Sequence, residues 1–206
     1  MRVNKKYGVS FEISGPMAMF TRPDTGSSFV SYPAPTWSGC KAMFECVARL
    51  KTAYIHPVKV NICRPLVYQH YTTNYNGPLR KGESIRKGNP YQLATIVLVN
   101  VCYQVFGEVR ELAPLPEPFN HLHYLQDKFN RRLKKGMLFS TPCLGWSEFL
   151  PDYFGPLREG TKVEESVNLE IPSMLFSVFD QPEDGEYAPI FMRNVRIEKG
   201  VLRYAE

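Results

Sequence analysis

The stretch YGVSFEI, residues 7–13, sets Val9, Phe11 and Ile13 on one face at a period of two, the mark of a half-buried strand. A turn-rich segment runs from Gly15 to Pro35. Thr36 is then placed to cap a helix over about 36–50, whose Cys40, Met43, Phe44 and Val47 fall at i, i+3, i+4 and i+7. VKVNIC (58–63) alternates again, with Val58, Val60 and Ile62 on one side, and the run from Leu93 to Val105 is the longest β-rich stretch of the chain. Between them, residues 68–92 carry Gly77, Pro78, Gly82, Gly88 and Pro90 among tyrosines and cations, which predicts a long projecting loop or a loose hairpin. A proline-spaced linker, 113–119, introduces a second helix over about 120–134 with Leu122, Leu125, Phe129 and Leu133 as its apolar side and Gly136 as its stop. Strand-like residues 171–179 and a terminal hairpin turning at Glu198, Lys199 and Gly200 complete the chain. This order predicts an α+β protein: a ferredoxin-like (RRM-like) unit over 1–136, with an insertion at about 68–92, and a smaller C-terminal β-rich domain over 137–206.

The 206 residues suffice for a real core, and 25 Lys and Arg against 20 Asp and Glu give a formal net charge of +5, informative only where it is clustered. The five cysteines, Cys40, Cys46, Cys63, Cys102 and Cys143, form no CxxC and no Cys/His pair at zinc spacing, so they read as buried thiols with no metal. The basic N-terminus runs into a strand pattern, and no segment offers the 18 or so uninterrupted apolar residues of a spanning helix. A soluble, cytoplasmic protein with no membrane partner is expected.

Charge clusters in KFNRRLKKG, 128–136. On a helix, Lys128, Arg131, Arg132 and Lys135 share one face, with Lys134 beside them, while Phe129 and Leu133 anchor the next face in the core. Like charges this close repel, and phosphate is a natural counter-anion for forked guanidinium and compact ammonium groups. The alternative is a solvated helix face. A second cluster, Arg80, Lys81, Arg86 and Lys87, lies in the 68–92 segment with Tyr71 and Tyr75. Aromatics that stack unpaired bases, interleaved with cations that hold the backbone, suit single-stranded RNA; tyrosines packed on the body are the alternative. His123, Tyr124 and Lys128, at the start of the second helix, bring an imidazole, a phenol and an ammonium near one another, a set able to deprotonate a ribose 2′-OH and stabilise the resulting charge without metal. No Walker loop, GxGxxG, HExxH or GxSxG occurs, and no cofactor is expected.

SFEISGPMAMFTRPDTG followed by SYPAPTWSGCKAMFECV, and KFNRRLKKG followed by LGWSEF, resemble the Cas-five family of CRISPR-associated RAMP proteins in its type I-C-like branch. That resemblance implies a RAMP-type ferredoxin-like domain whose insertion at 68–92 is a thumb. It also implies binding to the 5′ handle of CRISPR RNA in a Cascade-like complex beside the backbone and large subunits, with target DNA met indirectly through the complex. Members of that branch also mature the guide as metal-independent endoribonucleases, using a tyrosine late in the first helix and a Lys-His pair early in the second. Those positions fall here on Ala48, Tyr124 and Leu125, none of which matches. Two functions therefore stand side by side: a handle-binding subunit, or a repeat-specific endoribonuclease using His123, Tyr124 and Lys128. A protein-interaction module with an incidental basic face is the more distant third.

Overall fold

The computed structural model of the chain describes residues 7–26, 28–75, 82–87, 91–113, 119–179, 182–183 and 186–204. Strand β1 (Gly8–Ala18) extends well past the expected end, and short β2 (Phe29–Val30) leads into helix α1 (Trp37–Val47). Thr36 caps α1 as its chemistry demands, its Oγ1 accepting from the Gly39 amide at 3.1 Å. The helix stops three residues before expected because Ala48 turns to an extended backbone. β3 (Ala53–Ile62), β4 (Val67–Tyr75), the short α2 (Gly82–Arg86), β5 (Tyr91–Glu111) and α3 (His121–Lys134) follow, then β6 (Tyr153–Gly155), β7 (Leu169–Ser177), β8 (Pro182–Glu183), β9 (Glu186–Tyr187), β10 (Ile190–Glu198) and β11 (Val201–Arg203).

One curled sheet organises the chain in the order β6-β1-β5-β3-β11-β10-β7, every neighbour antiparallel, with β2 and β4 pairing separately to β5. β5 does two jobs. Its first half pairs with β4, from Val67↔Val99 to Tyr75↔Tyr91, and its second half lies between β1 and β3. The switch falls at Asn100, whose positive φ of 53° bends the strand and whose side chain accepts from Arg64. Of the two forms expected for this segment the hairpin is the one found, with 67–75 and 91–99 as regular paired strands. The β-forming Tyr and Thr of β4 find a full ladder of partners on β5.

α1 and α3 cover one face, where Phe44 meets both Phe11, edge-on at 4.9 Å, and Phe129 at 5.5 Å. The strands after residue 136, expected as a sheet of their own, join the same ladder: β6 on β1 through Ile13↔Phe154, and β11 on β3 through Leu202↔Val60. The join is reinforced at Tyr204, whose hydroxyl donates to the Pro35 carbonyl at 2.6 Å and lies 3.3 Å from the Cys40 sulfur at the start of α1. Burial pushes the Cys40 thiol up to about 12. Of the five free cysteines only Cys40 and Cys102 are buried; Cys46, Cys63 and Cys143 are half-exposed.

On the face turned away from the helices, the fully buried Glu12 sits under segment 158–161. Its carboxylate accepts from the Arg158 amide at 3.0 Å, the Arg158 guanidinium at 2.6 Å and the Thr161 hydroxyl at 2.8 Å. Burial alone would raise its pKa, but those donors, with the Gln104 amide, outweigh that and hold it below the ordinary value. A second tether is the turn at Gly145. Its φ is +94°, and a Cβ there would lie 1.9 Å from the Met19 carbonyl oxygen. Around it the Met19 amide donates to Leu144 O at 2.9 Å and the Leu144 amide to Phe149 O at 2.8 Å, so the LGWSEF segment is a structural clasp on the end of β1.

Two measurements check these tethers. Glu12→Ala removes the acceptor that Arg158 and Thr161 share and, with the Arg158 side chain 42 % exposed, should cost about 1–3 kcal/mol in urea unfolding at neutral pH. Because the folded pKa is depressed, the stabilisation from Glu12 is present above the unfolded value of about 4.3 and is lost as pH falls through the folded one, so the deficit of Glu12→Gln should shrink in acid. Gly145→Ala, forced against backbone at positive φ, should cost about 2–4 kcal/mol by the same assay.

Candidate nucleic-acid interface

Helix α3 is held by His121, Leu125, Phe129 and Leu133 on its buried side, which fixes what its other sides present. Leu122, expected in the core stripe, is only half-buried, and His121 takes its place, with its Nε2 3.7 Å from the Glu111 carboxylate. Asn120 caps the helix. Its Oδ1 accepts from the His123 amide at 3.0 Å while its Nδ2 donates to the Tyr7 hydroxyl at 2.8 Å.

The basic face divides into two groups. Arg132 turns back to donate from Nε to Val47 O at 2.7 Å, and Lys128 donates from Nζ to Arg49 O at 3.3 Å. These two cations answer carbonyls at the C-terminal end of α1, whose last turn carries no basic residue of its own. That end was not anticipated as their counter-charge, because nothing local in the sequence says where α1 stops against α3. Arg131, Lys134 and Lys135 are exposed and form no ion pair among the described residues.

Aromatic rings interleave with the first group. Arg132 lies 3.9 Å over the Phe139 ring, Lys128 lies 5.4 Å from the same ring and 6.0 Å from the Tyr124 ring, and Arg49 lies 5.8 Å from Phe139. Tyr124 in turn stands 5.5 Å from Phe119. Phe119, Tyr124 and Phe139 are 55 %, 41 % and 50 % exposed, so the stripe offers ring faces and cations to solvent together. Phe119, Phe139 and Arg49 were missed in the sequence. The signal was an aromatic residue a few positions beyond each end of the basic helix, legible only once α1 and α3 are known to meet.

In the hairpin, Tyr71 is half-buried, edge-on to Phe149 at 5.5 Å, and its carbonyl accepts from Thr95, so it packs on the body. Arg86 and Lys87 are exposed on α2 and just after it, with Lys87 3.2 Å from Glu83. Arg80, Lys81 and the side chain of Tyr75 lie outside the described residues.

Of the three candidates for acid–base chemistry, Tyr124 and Lys128 stand together, one turn apart. His123 faces another side of α3, 6.0 Å from the Tyr7 ring. Ala48 is the buried C-cap of α1 and Leu125 is fully buried, so neither of those positions presents a group that could move a proton. Among the described residues no three His, Cys, Asp or Glu side chains are grouped to hold a metal, and no helix is long and apolar enough to cross a membrane.

Residues 8–182 match the family described as CRISPR-associated protein (Cas_Cas5). The chain is 30 % identical over 216 residues, 93 % of its length and 88 % of its relative's, to the CRISPR pre-crRNA endoribonuclease Cas5d of Thermus thermophilus. Its fold is similar to the crystal structure of a CRISPR-associated protein, with a TM-score of 0.69 at 15 % identity over 97 % of this chain and 92 % of that one. It is similar again to a functionally uncharacterized protein from Streptococcus mutans, with a TM-score of 0.67 at 15 % identity over the same shares of the two chains. A chain of a CRISPR RNA-guided surveillance complex gives 0.50 at 14 % identity, over 95 % of this chain and 91 % of that one. With a family match across most of its length and a relative at this identity, the chain belongs to the Cas5 family of CRISPR-associated proteins.

Proposed function

We propose that this protein binds the 5′ handle of CRISPR RNA as a subunit of a type I Cascade-like effector complex, beside its backbone and large subunits, and meets target DNA only through that complex. The observation that carries this reading is the exposed stripe of Phe119, Tyr124, Lys128, Phe139, Arg132 and Arg49, continued by Arg131, Lys134 and Lys135. Rings accept unpaired bases and the cations hold their phosphates. The strand order β6-β1-β5-β3, all antiparallel, with α1 and α3 as the two crossovers, supports a ferredoxin-like RAMP core whose fourth strand, β6, lies beyond the expected boundary at residue 136. The β4–β5 pair is its thumb, with Arg86 and Lys87 exposed on the segment between the two strands, and the strands after β6 make up the smaller C-terminal part.

A second reading, metal-independent cleavage of the precursor within its repeat, is favoured by the activity in the name of the Thermus relative. Its chemistry would need a base to take the ribose 2′-OH proton, attack of that oxygen on the adjacent phosphorus, and departure of the 5′-oxygen with a proton from an acid. The product is a 2′,3′-cyclic phosphate. Lys128 is placed to stabilise the charged phosphorane beside the Tyr124 phenol. His123 could join them only if RNA wraps the start of α3, since it projects beside Tyr7.

The test mixes purified protein with labelled CRISPR-repeat RNA in EDTA and reads a native gel beside a denaturing one. Binding should appear as a shift, and replacing Arg131, Lys134 and Lys135 by Ala should flatten the salt dependence by about 0.7 log units for each phosphate no longer neutralised. Intact RNA in the shifted band supports the binding subunit. A specific cut that His123→Ala or Lys128→Ala abolishes supports the endoribonuclease. Absence of any shift rejects both.

A further inference from the structure

We infer that the uncovered part of the sheet, on the face turned away from the helices, is a second track for single-stranded RNA. Resting on the RNA-binding reading above, it extends that reading to a surface no motif marks. The register carries the argument. Ser10 pairs with Phe106, Phe106 with Lys59, and Lys59 with Arg203. Ile197 pairs with Leu202, which brings Arg196 beside Arg203. Each of these residues is flanked by one whose side chain is buried under the helices, Phe11, Val105, Val60, Leu202 and Ile197, so period two turns the whole row outward. It crosses five strands, about 19 Å at the usual interstrand spacing.

The row next to it is closed by segment 158–161 over Glu12, whereas this one is open. Lys59 is half-buried, Arg203 exposed, and the Arg196 side chain 67 % exposed. Lys59 and Arg203 stand directly opposite on adjacent strands, a like-charge pair that destabilises a sheet unless an anion lies across it. Two hollows flank the pair. One, of about 350 Å³, includes Ser10, Phe106, Glu108 and Asn130; the other, of about 820 Å³, includes Arg193, Lys199 and Glu198. The acids are outnumbered, and Glu170 is engaged with Arg196 at 3.4 Å. The Lys59 ammonium rests 4.4 Å from the Phe106 ring, so a cation and a stacking platform occur together, which suits an unpaired base with its phosphate rather than a duplex. Asn130 belongs to α3, and Lys134 follows it by one turn, so the track meets the basic helix at the edge of β1.

The experiment compares a fluorescein-labelled oligouridylate with polyglutamate, by anisotropy across a salt series, on the wild type and on a Lys59→Glu/Arg203→Glu variant whose fold is checked by circular dichroism. The track predicts RNA affinity at low salt weakened roughly tenfold or more, and a salt slope smaller by about 1.4, two phosphates at about 0.7 each. In parallel, ultraviolet crosslinking of wild-type protein to the same RNA should give adducts on the peptide containing Phe106, a readout that holds even if the variant misfolds. Unchanged affinity with no such adduct, while Arg131→Glu/Lys134→Glu loses binding, overturns the track and leaves the RNA-binding reading standing. Loss of polyglutamate binding alone makes the surface one for an acidic protein and also overturns it. A wild type that binds no RNA removes both readings.

Discussion

The buried Glu12 carboxylate is the constraint on which the rest of the sheet depends. A charge removed from water on the outer face of β1 must be met by donors, and those donors come from Arg158 and Thr161, nearly 150 positions later. Meeting it draws the segment after β6 across the sheet, where the Glu164 amide also donates to Ile62 O at 2.8 Å and the Gly200 amide to Val167 O at 2.8 Å. Those bonds settle where β11 enters against β3. One carboxylate thus decides which rows of the face are roofed and which are left open with their cations exposed.

On the opposite face the organising contact is between the helices. α1 ends without a basic residue in its last turn, and α3 supplies Arg132 to its Val47 carbonyl and Lys128 to the Arg49 carbonyl just beyond its end. Two side chains that read as nucleic-acid contacts are thereby also structural, and the geometry that fixes them sets Phe139 under the guanidinium. A guanidinium held between a carbonyl and a ring loses little freedom on binding a phosphate with its remaining donors. The three cations without such anchors, Arg131, Lys134 and Lys135, are the ones free to follow a flexible backbone.

What the sequence disclosed follows the range of the forces involved. Period-two alternation marked β1 and β3, and Thr36 announced its helix, because those signals are local. The 68–92 segment left loop and hairpin open side by side, because the ladder that makes β4 a strand belongs to β5. Nothing near Glu12 names its partners, and nothing near Asn100 shows that a long strand must bend there. The cations on α3 were legible as a cluster. Their division into helix-capping and solvent-facing groups required knowing where α1 ends.

The same packing bears on how binding relates to cutting. Proton transfer needs particular groups held within hydrogen-bond reach of one oxygen, whereas binding needs only charge and flat rings along a path. Ala48 and Leu125 are built into the core here, so neither side chain can move a proton. His123 and Tyr124 are adjacent in sequence but about 100° apart around the helix. An RNA that touched both would have to bend round the start of α3 between Tyr7 and Phe119, with Lys128 behind the bend. A hooked, unpaired strand can follow that path and a regular duplex cannot. The geometry that would permit cleavage is therefore a subset of the geometry that would permit binding, and the proposed binding does not depend on that subset being reached.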